Sequence, residues 1–395
     1  MSVLNNIIQG IQESATFKVK NKALARRAAG LPVFDLSTGE PEFKMPEHIS
    51  DSIYSALKAG KTKYTAIAGI PELRNALAAE VKRKTGQEYN AEREIIVTNG
   101  GKQGLFSACA CLLEEGDEVL IPIPYWVSYP QMVKLTGATP VFVAPEENLK
   151  LSAAKLKAAI THRTKILILN SPSNPSGAVY TFDELKALGA VIRGTDVIVL
   201  WDAVYDEVFF NGASAPEWLL ANPDLAEQTV YINSFSKTFA MTGLRVGYVA
   251  AHAELVGALL KHQNQSTSNV CTPAQYGALA ALSGSRDFIR EWAASYKARS
   301  ELFVNSLLRI PGVKVPCKPD GAFYVLADVA QLIEARSDFN TAEDLAAELI
   351  EKTGIAAVPG DAFGVPWMLR FSLTMPEAQV AQVLELFENY CVAKR

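Results

Sequence analysis

Ser234-Phe235-Ser236-Lys237, followed eight residues later by Arg245, sets two hydroxyls, an amine and a guanidinium into one short stretch. A surface lysine normally has polar neighbours, but Lys237 lies between Phe235 and Phe239. Removal from water disfavours the ammonium, so a lysine in such a setting can be a free amine near neutral pH, as imine formation with a carbonyl requires. Ser234, Ser236 and Arg245 together could hold a phosphate, the arginine through two parallel hydrogen bonds. The string alone is ambiguous, because Ser-x-x-Lys also serves serine acyl-enzymes.

Other residues suit the same chemistry, each with a plainer alternative. Gly100-Gly101-Lys102, at the start of a helix expected over Lys102–Glu114, offers backbone N–H groups and the positive helix end to a phosphate. It is not a Walker A loop, since Gln103 follows and the earlier glycine is missing. No Gly-x-Gly-x-x-Gly follows the first strand, which removes support for a nicotinamide enzyme. In the turn cluster Asn170 to Gly177, Asn174 is either a tight-loop residue or an amide donor to a ligand oxygen. Asp202, followed by Tyr205, is either a helix N-cap or a carboxylate that keeps a pyridine nitrogen protonated. Tyr125-Trp126 reads as a core pair or, through Trp126, as a stacking surface. Arg370 sits in an otherwise apolar strand, where it needs an Asp or Glu partner or a substrate carboxylate.

The elements that must position these residues follow a regular pattern. Apolar runs at Ile95–Thr98, Val119–Ile121, Val141–Val143, Ile166–Leu169, Val197–Leu200, Val230–Ile232 and Val246–Ala250 alternate with helix-length segments. That pattern predicts an α/β fold whose largely parallel sheet is flanked by helices on both faces. Ligands of such sheets sit at the carboxyl ends of the strands, and Gly100, Asn174, Asp202 and Lys237 all fall shortly after strands. Beyond Ser285 the pattern changes to a long helix (286–309), strands at Val313–Val315, Ala322–Ala327, Ile355–Val358 and Met368–Leu373, and a helix over Ala342–Thr353. The expected organisation is an arm and part of a small domain over 1–45, a large domain over 46–285 and a smaller α+β domain over 286–395.

Composition bounds the function. A 49% hydrophobic and 20% charged chain of 395 residues has a sizeable core, and its net charge of −4 implies no nucleic-acid or anionic-membrane surface. Five scattered cysteines, an odd number without Cys-x-x-Cys, suggest free thiols and argue against a zinc site. No signal peptide and no membrane-length apolar run are visible, so the expected address is the cytoplasm.

Taken in order, Ser14-Ala15-Thr16, Gly39-Glu40-Pro41, Lys63-Tyr64-Thr65, Gly69 to Arg74, Gly100 to Gln103, Pro124 to Pro130, Asn170 to Pro175, the stretch around Lys237, Gly321 to Tyr324 and Val358 to Gly360 carry a resemblance. The chain resembles the pyridoxal-phosphate-dependent aminotransferases of fold type I, class I. Within them it is most similar to bacterial aspartate aminotransferases of the branch lacking the second substrate arginine. The resemblance implies pyridoxal 5'-phosphate as cofactor, amino acids and 2-oxo acids as substrates, and a homodimer with shared active sites. Carried over by position, Lys237 is the imine lysine and proton shuttle, Asp202 the partner of the pyridine nitrogen, and Tyr205 and Asn174 the partners of the ring hydroxyl. Ser234, Ser236, Arg245 and the Gly101–Lys102 backbone correspond to the phosphate cradle, Tyr64 to a tyrosine reaching the neighbouring subunit's phosphate, and Trp126 to the stacking aromatic. Arg370, Asn174 and Gly39 correspond to the clamp on the α-carboxylate, and Lys102 to a lysine for the distal carboxylate.

The implied activity is a ping-pong transamination between L-aspartate and 2-oxoglutarate. Leu244, Ser176 and Ala203-Val204 stand where many relatives have Trp, Thr and Glu-Ile. Gln12-Glu13 and Ser176 differ from the Lys-Pro and Thr typical of relatives that use prephenate, which favours aspartate. The alternatives are an aminotransferase for aromatic or other bulky amino acids, prephenate included, a lyase or decarboxylase on the same cofactor, and a cofactor-binding regulator without turnover. The last needs a DNA-binding appendage, and the residues before the first motif are too few for one.

Overall fold

The computed structural model describes residues 3–13, 15–335 and 339–393, so Ser14, the first residue of one motif, lies outside the described residues. Its largest sheet has seven strands, preceded in the chain by a two-residue strand, β1 (Phe34–Asp35). The seven are β2 (Ile95–Thr98), β3 (Glu118–Pro122), β4 (Thr139–Val143), β5 (Thr164–Asn170), β6 (Ile198–Asp202), β7 (Thr229–Ser234) and β8 (Gly247–Ala250). Their order is β2-β8-β7-β6-β5-β3-β4, and β8 alone runs against its neighbours. The α/β expectation from alternating apolar runs holds.

Short, almost uninterrupted apolar strands suit a sheet covered on both sides. Side chains alternate between faces along each strand. Val199 and Trp201 accordingly pack with Leu120, Leu167 and Leu169 on one side, while Leu200 packs with Val119, Ile121 and Ile168 on the other. A second core gathers Phe303, Val325, Leu369, Phe371 and Phe387 with Leu36 from the N-terminal segment. Above it lies a three-stranded sheet of β9 (Tyr324–Asp328), β11 (Val358–Pro359) and β12 (Met368–Ser372), while β10 (Ile355–Ala356) pairs in parallel with β1. The helix Asp287–Leu307 gives Ile289 to the first core and Phe303 and Leu307 to the second.

Three expectations need correction. Val313–Val315 is no strand: Lys314 makes one isolated bridge to Asp328, and Pro311 and Pro316 on either side cannot donate to a ladder. The run Ile355–Val358 is split, its halves pairing with different sheets. The helix expected from Lys102 starts at Gly100 and ends at Leu112.

Behind the β6 carboxyl end lies a cluster of buried charge. Lys84, its side chain 7% exposed, reaches Asp206 at 2.6 Å and Glu207 at 3.2 Å, and Glu80 at 3.5 Å. Arg286 joins Glu80 and Glu207 at 2.9 and 2.8 Å, and Arg83 approaches the same two carboxylates from the surface. Burial opposes the Lys84 charge, but Asp206 and Glu207 outweigh it and hold the ammonium protonated well beyond its ordinary range. Removing one partner of such a group leaves uncompensated charge in a dry place. Lys84→Ala is therefore expected to lower stability by about 3–5 kcal/mol in urea unfolding, and Arg83→Ala, at a half-exposed site, by less than about 1 kcal/mol. Equal losses for the two would overturn this ranking.

Candidate active site

The carboxyl ends of β2, β5, β6 and β7 converge on a cavity of about 350 Å³. After β2 the chain turns at Gly100, with φ +78°, into the helix Gly100–Leu112. A Cβ on Gly100 would stand 2.6 Å from an Arg245 nitrogen, and one on Gly247 would stand 2.6 Å from the backbone of Gly100 and Gly101. The glycines thus let the helix start, β8 and Arg245 close on one another. Asn99 makes no side-chain cap, so the first amides of this helix face the cavity without one. Ser234 and Ser236 line the same wall, and the Arg245 guanidinium is held by the Thr242 carbonyl at 2.8 Å. Helix start, two hydroxyls and a guanidinium make a donor set for a phosphate group.

Asp202, the last residue of β6, is buried. The residues after it form a turn rather than a helix, so the N-cap alternative falls. Its carboxylate accepts from the Tyr129 hydroxyl at 2.5 Å and from the Val204 amide at 3.3 Å. Burial pushes its pKa up to about 6, against the pull of Tyr129, the Val204 amide and Lys237. Three residues on, the Tyr205 hydroxyl pairs with that of Tyr324 at 2.8 Å. Gly39 has to be glycine here, because its Cβ would lie 2.0 Å from the Tyr324 oxygen.

The Lys237 ammonium donates to the Gly39 carbonyl at 2.6 Å. Its neighbours in sequence are not what desolvates it. Phe235 and Phe239 turn into the sheet's core, and the rings near the nitrogen are Phe323 and Tyr205, at 5.8 and 5.9 Å. Burial lowers its pKa to about 8, with Arg245 and Arg370 acting in the same direction and Glu40 and Asp202 opposing.

Arg370, on β12, enters the cavity from the other side. It donates to the Asn174 side-chain oxygen at 3.1 Å and to the Ser37 carbonyl, and stands over the Tyr324 and Phe363 rings. No described carboxylate lies within ion-pair distance of this buried group, and burial depresses its pKa; Asp35 acts on it only from farther off. Asn174 is itself fixed by its amide, which donates to Asn170 at 2.9 Å. Lys102 remains accessible to solvent, with its nitrogen 4.8 Å over the Trp126 ring. Burial of part of its stem, together with Arg245, lowers its pKa.

Gly39, Gly101, Lys102, Trp126, Asn174, Asp202, Tyr205, Ser234, Ser236, Lys237, Arg245 and Arg370 thus share one cavity. Tyr64 does not: it is 90% exposed and lies at a separate surface hollow with residues 267–273. Tyr129, Tyr324 and Asn170 were missed as site residues. The motif strings contained all three, but nothing local marked their hydroxyl and amide groups as facing Asp202, Tyr205 and Asn174.

The comparisons with known proteins point one way. The family described as "Aminotransferase class I and II" matches residues 32–387. The chain is 42% identical, over all of both sequences, to a protein of Rhizobium leguminosarum bv. phaseoli named probable aspartate/prephenate aminotransferase. It is 37% identical to the aspartate aminotransferase of Bacillus sp. strain YM-2, across 98% of this chain and 99% of that one. The crystal structure of the aspartate aminotransferase from Rhizobium meliloti matches with a TM-score of 0.94 at 36% identity, covering 99% of each chain. That of the Thermus thermophilus aspartate aminotransferase with maleate matches with a TM-score of 0.91 at 37% identity, covering 98% of this chain and all of the other.

The lowered Lys237 pKa has a consequence for the ligand-free chain. Between about pH 8 and the ordinary lysine value of 10.5, the unfolded chain binds more protons at this position than the folded one. Stability therefore rises with pH across that window. Lys237→Met should remove this dependence and stabilise the ligand-free protein at pH 7 by roughly 3 kcal/mol, a difference that fades by pH 10.5. A gap in urea midpoint that is the same at both pH values would overturn the argument.

Proposed function

The chain belongs to the class I and II aminotransferases, which work with pyridoxal phosphate, and on that premise we propose that it transfers the amino group between L-aspartate and 2-oxoglutarate. The observation that carries the substrate assignment is the buried Arg370, which no described carboxylate neutralises, facing a cavity that also holds Lys102. A guanidinium so placed calls for an anion from the ligand, and its planar fork matches a carboxylate. Two cations in one cavity, beyond those at the phosphate wall, suit a dicarboxylic acid. The relatives named for aspartate support this reading, as does the maleate, itself a dicarboxylate, in the Thermus thermophilus structure.

The donor set fits the cofactor: Ser234, Ser236, Arg245 and the Gly101–Lys102 amides for its phosphate, Trp126 for its ring, Tyr205 and Asn174 for its hydroxyl. When bound there, pyridoxal phosphate would supply an electron sink for the pair released at the substrate Cα. Asp202 holds a proton on the ring nitrogen, and the Tyr129 hydrogen bond favours the ionised carboxylate that this requires. Lys237, with its pKa brought down to about 8, takes the proton from Cα as a free amine and returns it. Gly39 offers its carbonyl to that amine, and Arg370 with Asn174 orients the substrate α-carboxylate so that the Cα–H bond faces it. The first oxo acid leaves before the second enters, so the kinetics are ping-pong.

The prephenate alternative has the names of several relatives behind it, while Gln12-Glu13 and Ser176 favour aspartate as the better donor–acceptor pair. Tyr64, exposed and away from the cavity of its own chain, suits a homodimer in which it reaches the partner's phosphate. We keep the division at about residues 45 and 285, supported by the β1–β10 pairing and by Leu36 in the second core. Among the described residues no helix is long and apolar enough to cross a membrane, and scattered cysteines without Cys-x-x-Cys suit a cytoplasmic address.

Lys102→Ala should lower kcat/KM for aspartate about ten- to a hundredfold, the worth of one charge-assisted hydrogen bond of about 1.5–3 kcal/mol. Activity toward alanine or phenylalanine, which lack the distal carboxylate, should change far less. Equal losses would remove Lys102 from substrate binding, and a wild-type preference for aromatic donors would remove the aspartate assignment. Borohydride reduction of the holoenzyme followed by peptide mapping should tag Lys237; a different tagged lysine overturns its role.

A further inference from the structure

The buried charge cluster is joined by a line of hydrogen bonds to the backbone of Ser234, on the phosphate wall of the cavity. Lys84 donates to Asp206 at 2.6 Å. The same Asp206 oxygen accepts from the Asn233 side-chain nitrogen at 3.0 Å, with Tyr231 receiving a second bond from that nitrogen at 3.0 Å. The Asn233 side-chain oxygen then accepts from the Ser234 amide at 2.7 Å. Finally the Ser236 amide donates to the Ser234 hydroxyl oxygen at 3.4 Å.

Each bond in this line has a direction that the one before it fixes. A carboxylate has no proton to give, so only the NH₂ side of the Asn233 amide can face Asp206. Its oxygen must then face Ser234, whose N–H is thereby used up. With the Ser236 amide on its lone pair, the Ser234 hydroxyl has its proton left to give, and Ser234 lines the cavity. Asn233 is 2% exposed and Asp206 5%, so water does not compete for either. Nothing in the transfer reaction itself requires Asp206 or Asn233, and an ordinary strand end needs neither.

We propose that Asp206 and Asn233 are positioning residues that hold the Ser234 backbone where its hydroxyl meets the cofactor phosphate, with the Lys84 cluster as the fixed end of the relay. The inference rests on the reading of Ser234 as part of the phosphate cradle. In this arrangement the charge cluster acts on the site without entering it: Lys84 fixes Asp206, Asp206 fixes which way Asn233 lies, and Asn233 pins the Ser234 amide. Loss of the Asn233 side chain lets the Ser234 backbone shift at the strand end, which weakens the hold on the phosphate.

The test compares release of two ligands from the full-length chain, pyridoxal phosphate and pyridoxal, which differ only in the phosphate. Release is followed by loss of bound-ligand absorbance after transfer into a scavenger. Wild-type protein should hold pyridoxal phosphate far longer; if it holds pyridoxal equally long, the cradle reading itself fails. In Asp206→Asn and Asn233→Ala, release of pyridoxal phosphate should quicken about tenfold, while release of pyridoxal stays within about twofold. Should Asp206→Asn not fold, Asn233→Ala, which leaves the Lys84–Asp206 pair in place, decides alone. The double variant Asn233→Ala with Ser234→Ala should release no faster than Ser234→Ala, since the relay acts only through that serine. Equal acceleration for both ligands, no acceleration for the phosphate form, or additive effects in the double variant would each overturn the relay while leaving the cradle reading intact.

Discussion

The structure depends on an imbalance of charge in one partly dry cavity. Lys102, Lys237, Arg245 and Arg370 line it, against Asp202 and Glu40. Like charges held together away from water are costly, and the cost is relieved in two ways. Part is relieved by proton loss, seen in the Lys237 pKa of about 8. On the proposed assignment the rest is relieved by the ligand: a phosphate at Arg245 and carboxylates at Arg370 and Lys102 would supply the missing anions. The proposed preference for an anionic cofactor and a dicarboxylic substrate therefore follows from the charges that line the cavity.

Holding such a cavity open requires elements that approach closely without filling it. The close packing of Gly100, Gly101 and Gly247 around Arg245 brings helix amides to the phosphate wall, and Gly39 makes room for Tyr324. Behind β6, the ion cluster fixes the turn that carries Tyr205 and the strand end that carries Ser234. Rigid support beneath the reacting groups matters because a displacement of about 1 Å can cost two orders of magnitude in rate.

Much of this was legible in the sequence, for local reasons. Apolar runs of strand length located every strand of the seven-stranded sheet, and the rule that ligands gather at strand carboxyl ends selected Gly100, Asn174, Asp202 and Lys237. What stayed hidden depends on contacts between distant positions. Tyr129 meets Asp202 across 73 residues and Tyr324 meets Tyr205 across 119, and no periodicity encodes such pairs. Lys237 shows the same limit from another side. Its flanking phenylalanines suggested an apolar setting, and the setting is real, yet it comes from Tyr205 and Phe323. Val313–Val315 failed because β-branched residues alone do not make a strand when prolines on both sides remove the donors a ladder needs.

The site lies on a seam. Asn174, Asp202 and Lys237 belong to loops and strand ends of the large sheet, Arg370 to β12, and Gly39 to the segment that leaves β1. The bonds that cross the seam in the ligand-free chain, Lys237 to the Gly39 carbonyl and Arg370 to the Asn174 amide oxygen, join charged donors to neutral acceptors. Hydrogen bonds in which both partners are charged are stronger, and a carboxylate can engage both nitrogens of the guanidinium fork where an amide oxygen engages one. On the proposed assignment, a substrate carboxylate at Arg370 would be a better acceptor than the neutral oxygens there, and the gain would be realised between groups that the chain brings from both sides of the seam. Binding energy spent there would go into aligning Cα with Lys237, which is where the proposed reaction needs it.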